Sequence, residues 1–107
     1  MRELTKVEEI LLIAIWKLKD DAYGVKIRQY VSNLIGKEFT YGNLYSVLNQ
    51  LTQKDYVTKS GGEVVAERRG RPRITYTITD EGYKALKETR EMNESLWKGI
   101  SKLAFDR

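Results

Sequence analysis

The 107-residue sequence predicts a mainly α-helical chain with one small β-hairpin. Three observations predict it. Apolar residues recur at helical spacing over four stretches of the chain. Residues 73–78 alternate strictly between outward and inward positions instead, as a half-buried strand does. Four arginines crowd around Gly70 and Pro72 between two β-rich runs, where the tip of a hairpin belongs.

Composition narrows the chemistry before any element is placed. A hydrophobic fraction of 41% and a charged fraction of 32% fit one domain with a modest core and a heavily charged surface. Cysteine is absent, which excludes a disulfide framework and thiolate zinc sites. Histidine is absent too, which removes the usual general base and the commonest metal ligand. No pair of carboxylates sits in a setting that suggests catalysis; Glu8-Glu9 and Asp20-Asp21 read as solvated helix-surface and turn charges. The expectation is no enzyme, no metal and no cofactor. Met1 leads directly into an amphipathic pattern, and the longest apolar run is Ile10 to Trp16, well under the roughly 20 residues that span a bilayer. A cytoplasmic protein with no membrane partner is expected. The net charge of +4 is unevenly placed. Residues 80–107 balance six basic against six acidic side chains, so residues 1–79 carry the whole excess. Basicity confined to one part points to a polyanion there.

Residues 3–19 read as a first helix with a core stripe of Leu4, Val7, Ile10, Leu11, Ala14 and Leu18. Leu12 and Trp16 fall on its far side, with Ile13 between the two faces. A helix apolar on two sides is buried on two sides, and the second side is assigned to another subunit. Asp20-Asp21-Ala22 makes a turn. Tyr23 to Leu34 is a second helix, with Val25, Ile27, Tyr30, Val31 and Leu34 apolar, Lys26, Arg28 and Gln29 facing out, and Gly24 allowing close approach of a neighbour. Gly36 stops it. The third helix carries Leu44, Val47, Leu48 and Leu51 at i, i+3, i+4 and i+7 behind Thr40 as N-cap. Its other face holds Gly42, Ser46, Asn49, Gln50 and Gln53, flanked by Asn43 and Tyr45. That face is polar yet wholly uncharged. Amides, hydroxyls and phenols hydrogen-bond base edges and phosphates, whereas an ordinary solvated face carries Lys and Glu.

Helix, turn, helix, link and polar-faced helix form a helix-turn-helix arrangement extended to three helices. Tyr56 to Lys59 is strand-like, Val64-Val65-Ala66 resumes the strand, and Ile74, Tyr76 and Ile78 share one face of the returning strand. Arg68, Arg69, Arg71 and Arg73 surround the tip. Like charges packed so densely repel unless a polyanion meets them, so the hairpin is a DNA-binding wing. Thr79 caps a last helix running to about Phe105, with Asp80 and Glu81 in its first turn. Gly82, Leu86, Thr89, Asn93, Leu96, Ile100 and Leu103 repeat as a heptad seam, with Trp97 widening its apolar side.

The fold expectation is therefore a winged helix-turn-helix DNA-binding domain over residues 1–79 and a long C-terminal dimerisation helix over residues 80–107. Tyr41, Gly42, Asn43, Tyr45, Ser46, Asn49, Gln50, Arg68, Arg69, Arg71 and Arg73 are the expected DNA-binding residues. Leu12, Trp16, Leu86, Asn93, Leu96, Trp97, Ile100 and Leu103 are the expected dimer interface. Trp16 and Trp97 are also candidates to hold a small aromatic effector by stacking.

Several segments together resemble the PadR family of bacterial transcriptional regulators. Ala22-Tyr23-Gly24-Val25-Lys26-Ile27 is similar to that family's start of the second helix. Tyr41-Gly42-Asn43-Leu44-Tyr45 with Leu48 and Leu51 resembles its recognition helix. Lys54-Asp55-Tyr56-Val57, Gly70-Arg71-Pro72-Arg73 with Tyr76, and Ile78-Thr79-Asp80-Glu81-Gly82 with Leu86 resemble its wing and the start of its last helix. The resemblance covers about residues 5–90 and implies a homodimeric repressor; two recognition helices in a dimer in turn imply a pseudo-palindromic double-stranded operator. It differs at Gly42-Asn43 and Asn49-Gln50, where relatives often carry Gly-Thr or a basic residue; amides favour adenine where Arg favours guanine. The rival expectation is a winged-helix module that binds a protein or an acidic surface instead of DNA.

Overall fold

The computed structural model describes residues 3–61 and 73–100. In chain order the elements are α1 (Lys6–Leu18), α2 (Gly24–Ile35), α3 (Tyr41–Gln53), β1 (Val57–Gly61), β2 (Ile74–Ile78) and α4 (Asp80–Trp97), with a short 3-10 turn over Lys19–Asp21. The two strands pair antiparallel, Val57 opposite Ile78 and Gly61 opposite Ile74. The mainly helical class with one strand pair is as the sequence predicts.

α1 is the central element, touching α2, α3, α4 and β2. Its buried face is Glu8, Leu11, Leu12, Ala14 and Ile15. That corrects the expected stripe. Leu12 is 0% exposed inside its own domain and has no surface to offer a partner, while Trp16 is 51% exposed. The face is rotated because Glu8 belongs to it, and a carboxylate at that spacing hides the true stripe. Glu8 is no solvated charge. Its carboxylate accepts from the Thr5 backbone N–H at 2.9 Å and pairs with Lys54 at 2.7 Å. The Glu8 N–H in turn donates to Thr5 Oγ1, completing a reciprocal cap at the start of α1.

α2 buries Gly24, Ile27 and Val31 and leaves Val25 and Leu34 outside. Gly36 closes it in the left-handed region at φ 73°, where glycine carries no Cβ penalty. α3 begins at Thr40, whose Oγ1 accepts the Asn43 N–H at 3.2 Å. Leu44, Leu48 and Leu51 are fully buried beneath it. Every apolar position of the expected α3 stripe thus faces the core, with Val47 at its margin.

α4 is rooted tightly. Thr79 accepts the Gly82 N–H at 3.0 Å as its cap, and the Thr79 N–H donates to the Tyr56 carbonyl at 3.0 Å. Gly82 lies flat on that carbonyl: a Cβ added there would stand 2.1 Å from the Tyr56 oxygen. The helix ends at Trp97, short of the expected Phe105, because the chain turns extended at Lys98 and Gly99 adopts φ 83°. Ile100 therefore lies beyond the helix, and Leu103 lies outside the described residues. The first half of the expected seam is spent inside the protomer. Gly82 and Ala85 are buried, Leu86 packs against the core, and Asn93 donates to Glu9 of α1 at 3.3 Å. Leu96 and Trp97 remain exposed.

Candidate nucleic-acid interface

α3 presents its polar face outward. Tyr41, Gly42, Asn43, Tyr45, Ser46, Asn49, Gln50 and Gln53 are all exposed. The side-chain amides of Asn43, Asn49 and Gln50 and the Ser46 hydroxyl make no hydrogen bond among the described residues. The cause is their position. The opposite face is locked in the core by three leucines, so the helix cannot roll to bury its amides, and neighbouring elements offer them no partner. An array of unengaged donors and acceptors on a rigid, projecting helix can pair with the edges of bases.

The start of α3 is fixed by a different set of contacts. Tyr41 and Tyr45, one turn apart, stack with ring centroids 6.3 Å apart and planes 18° apart. The Arg28 guanidinium lies 4.6 Å from the Tyr41 ring centroid and donates to Glu38 at 2.7 Å. Arg28 is therefore half-buried and tied down, against the expectation that it faces freely out. The Tyr45 hydroxyl reaches α2 and lies over Gly24, 2.6 Å from where a Cβ would be.

The start of β2 closes on the same region. Tyr23 bridges Thr75, and the Tyr76 N–H donates to the Ala22 carbonyl at 2.8 Å, so the entry to α2 runs along the outer edge of β2. The Arg73 guanidinium is 4.1 Å above the Tyr23 ring. Between the start of α2, the start of α3 and the start of β2 lies an open groove of about 590 Å³, lined by Tyr23, Tyr45, Tyr76 and Arg73 among others. Tyr76 is 5% exposed. Burial, with the Tyr45 phenol close by, pushes its hydroxyl above the usual tyrosine range, so it stays protonated and able to donate.

The structure thus brings Tyr41, Gly42, Asn43, Tyr45, Ser46, Asn49 and Gln50 onto one exposed surface, with Arg73 at its border. Arg68, Arg69 and Arg71 lie outside the described residues. Sequence reasoning misses Tyr23, Gly24 and Tyr76 as candidate site residues. A local signal exists for part of the arrangement: Tyr23-Gly24 opens a helix, and Tyr41 and Tyr45 stand at i, i+4. The groove that joins these pairs has no such cue.

Among the described residues no three of His, Cys, Asp and Glu cluster in a way that could hold a metal ion, and no helix is long and apolar enough to cross a membrane. The transcriptional regulator PadR-like family matches residues 11–88. No curated protein sequence matches the chain. Among solved structures, RosR from H. salinarum is 28% identical with a TM-score of 0.69, over 94% of this chain and 83% of that one. A transcriptional regulator from Clostridium thermocellum is 26% identical with a TM-score of 0.68, over 88% of each chain. A PadR-like transcription factor from Bacteroides fragilis is 26% identical with a TM-score of 0.65, over 84% of this chain and 85% of that one.

Proposed function

The chain belongs to the PadR-like family of transcriptional regulators, which are DNA-binding proteins and not enzymes, and from that premise we propose that it is a homodimeric repressor. The observation that carries the reading is the exposed, uncharged and unengaged face of α3. In the proposed complex, Asn43, Ser46, Asn49 and Gln50 approach base edges in the major groove. Tyr45 and the wing arginines Arg68, Arg69, Arg71 and Arg73 hold phosphates or the adjoining minor groove.

Dimerisation is supported by apolar surface that one protomer leaves uncovered. Trp16 on α1, Tyr83, Met92, Leu96 and Trp97 on α4, and Ile100 just after it are all exposed. Apolar surface gathered on two neighbouring helices marks an interaction site. Residues 1–79 then read DNA, and the distal part of residues 80–107 holds the second subunit. Two recognition helices related by a two-fold axis call for a pseudo-palindromic operator, with half-sites about one helical turn apart, roughly 34 Å, or a multiple of it. The protein acts in the cytoplasm, where the chromosome is.

A small aromatic effector would enter between subunits and stack on Trp16 or Trp97. Trp16 already borders a half-open cleft of about 400 Å³ between α1 and α4, beside Tyr83 and Arg90. A ligand wedged there shifts the angle between subunits and so relieves repression, provided that it binds one dimer geometry better than the other.

The test is a gel shift on the DNA upstream of the chain's own gene, with a random duplex beside it and salt varied. Repression predicts sequence-preferring binding that falls as salt rises. Light scattering should give a mass near twice the 12.5 kDa of one chain. A well-folded monomer that ignores duplex DNA would overturn the reading and favour a module that binds a protein or an acidic surface.

A further inference from the structure

We infer that the groove between the starts of α2, α3 and β2 is a phosphoryl-binding site that seats one backbone phosphate of the duplex, with the hydroxyls of Tyr45 and Tyr76 as its donors. The inference rests on the DNA-binding reading and extends it, joining Tyr76 and the start of α2 to the phosphate contact already given to Tyr45, with Arg73 at the rim.

The groove collects donors that have nothing to donate to. Tyr76 is almost wholly buried, yet its hydroxyl makes no hydrogen bond among the described residues. It is not sealed into the core either; it opens on the groove. The Tyr76 ring is fixed by burial while its idle hydroxyl faces the groove, so it is held ready to donate to what enters there. Tyr45 brings a second hydroxyl to the same groove, held over Gly24 where only a missing side chain makes room.

Gly24 is the first residue of α2, a helix of 12 residues whose N-cap Tyr23 supplies no side-chain hydrogen bond. The first backbone N–H groups of α2 are thus left without a side-chain cap, at the end of the helix where partial positive charge favours an anion. Arg73 adds a full positive charge at the rim, stacked on Tyr23 and so pre-positioned. Two neutral hydroxyls, a helix N-terminus and one guanidinium suit a tetrahedral anion. The surroundings suit a sugar-phosphate chain, because Val25, Ile74 and the Tyr41 ring offer apolar contact beside the donors.

The donors that define this site are uncharged, which separates it from the arginine contacts. Removing an arginine that neutralises a phosphate lowers the salt slope by about one. Removing a phenol hydroxyl takes away a hydrogen bond to an anion and leaves the ion count alone. Tyr45→Phe/Tyr76→Phe should therefore bind DNA about 10-fold or more weaker with the salt slope unchanged. The loss should be the same on the operator and on a random duplex, because a phosphate carries no sequence.

The experiment measures affinity against salt for the wild type and this double variant on both duplexes, with thermal unfolding as the check that each folds. Duplexes carrying a single neutral methylphosphonate are then scanned along the backbone. One position per half-site should weaken the wild type and have no effect on the double variant. Equal affinity of the two proteins on both duplexes would overturn the site and leave the operator reading standing. A loss on both duplexes without any preference for the operator would leave the site standing and overturn the operator reading. Inorganic phosphate that displaces DNA beyond the effect of chloride at matched ionic strength, in the wild type only, would overturn the backbone as occupant in favour of a free anion.

Discussion

Lys54→Met tests the buried ion pair that joins the start of α1 to the end of α3. The Glu8 side chain is 1% exposed and the Lys54 side chain 43%. Removing the lysine leaves a sealed carboxylate whose remaining partner is Thr5. A hydrogen bond to a charged group contributes about 1.5–3 kcal/mol, and the openness of Lys54 to solvent trims this, so a loss of about 1–2 kcal/mol at neutral pH is expected. The pH dependence is the sharper part. Burial alone would raise the Glu8 carboxyl, but the Lys54 hydrogen bond, the Thr5 backbone and side-chain hydrogen bonds and the Lys54 charge together outweigh it, and the group lies below its ordinary 4.5. A carboxyl depressed in the folded state contributes stability that is present above its unfolded value and lost as pH falls through its folded value. Once Glu8 is protonated it no longer holds Lys54 as an ion. The gap between wild type and Lys54→Met should then be full above the ordinary carboxyl range and should close as pH falls through the folded value, which lies below 4.5. Urea unfolding followed by circular dichroism, at one protein concentration and several pH values, measures it. A gap that stays constant or widens in acid would refute the argument, because it would mean that Lys54 stabilises by something other than the Glu8 charge.

Four further substitutions probe other links. Gly82→Ala puts a methyl 2.1 Å from a backbone oxygen that cannot swing away, so it should destabilise by about 2–3 kcal/mol or detach α4, read as a lower unfolding midpoint. Gly24→Ala meets only the far end of Tyr45, a half-exposed side chain that can shift towards solvent; stability should change by less than about 1 kcal/mol while affinity for any duplex falls, measured by fluorescence anisotropy. Gln50→Ala should cost roughly 1–3 kcal/mol on the operator and little on random DNA, whereas Arg71→Ala should weaken both and lower the salt slope by about one; equal losses from both changes on every sequence would show that the division into reading and anchoring contacts is wrong.

The legible part of the chain is whatever local chemistry encodes. Thr40 and Thr79 cap the helices they precede, Gly36 ends α2, and the leucines of α3 point inward as their spacing requires. The reading face of α3 comes from those leucines by elimination. The illegible part depends on partners distant in sequence. Glu8 looks like any surface carboxylate until Lys54, 46 residues on, closes over it. Reading Glu8 as solvated turns the apparent face of α1 and sends Leu12 to an interface it cannot reach. Asn93 stands where a register-setting residue between subunits would stand, but within the protomer it binds Glu9. The groove escapes a sequence reading because its tyrosines come from the entry to α2, from α3 and from β2, and no periodicity links those three. Gly99 is the one local cue to the early end of α4.

The way α4 is rooted has a mechanical consequence. The helix has 18 residues, a rod of about 27 Å at 1.5 Å per residue. Its first turn is clamped to Asp55 and Tyr56, just past α3 and its cap, by both the hydroxyl and the backbone of Thr79 and by the flat contact at Gly82. Rod and reading head therefore swing as one body, with no joint between them to absorb motion. A tilt of about 10° at the root carries the far end through about 5 Å, more than the roughly 3.4 Å that separates successive base pairs. In the proposed dimer the same leverage runs backwards. A displacement of a few ångströms where Leu96 and Trp97 meet the other subunit takes both reading heads out of step with the pitch of the duplex.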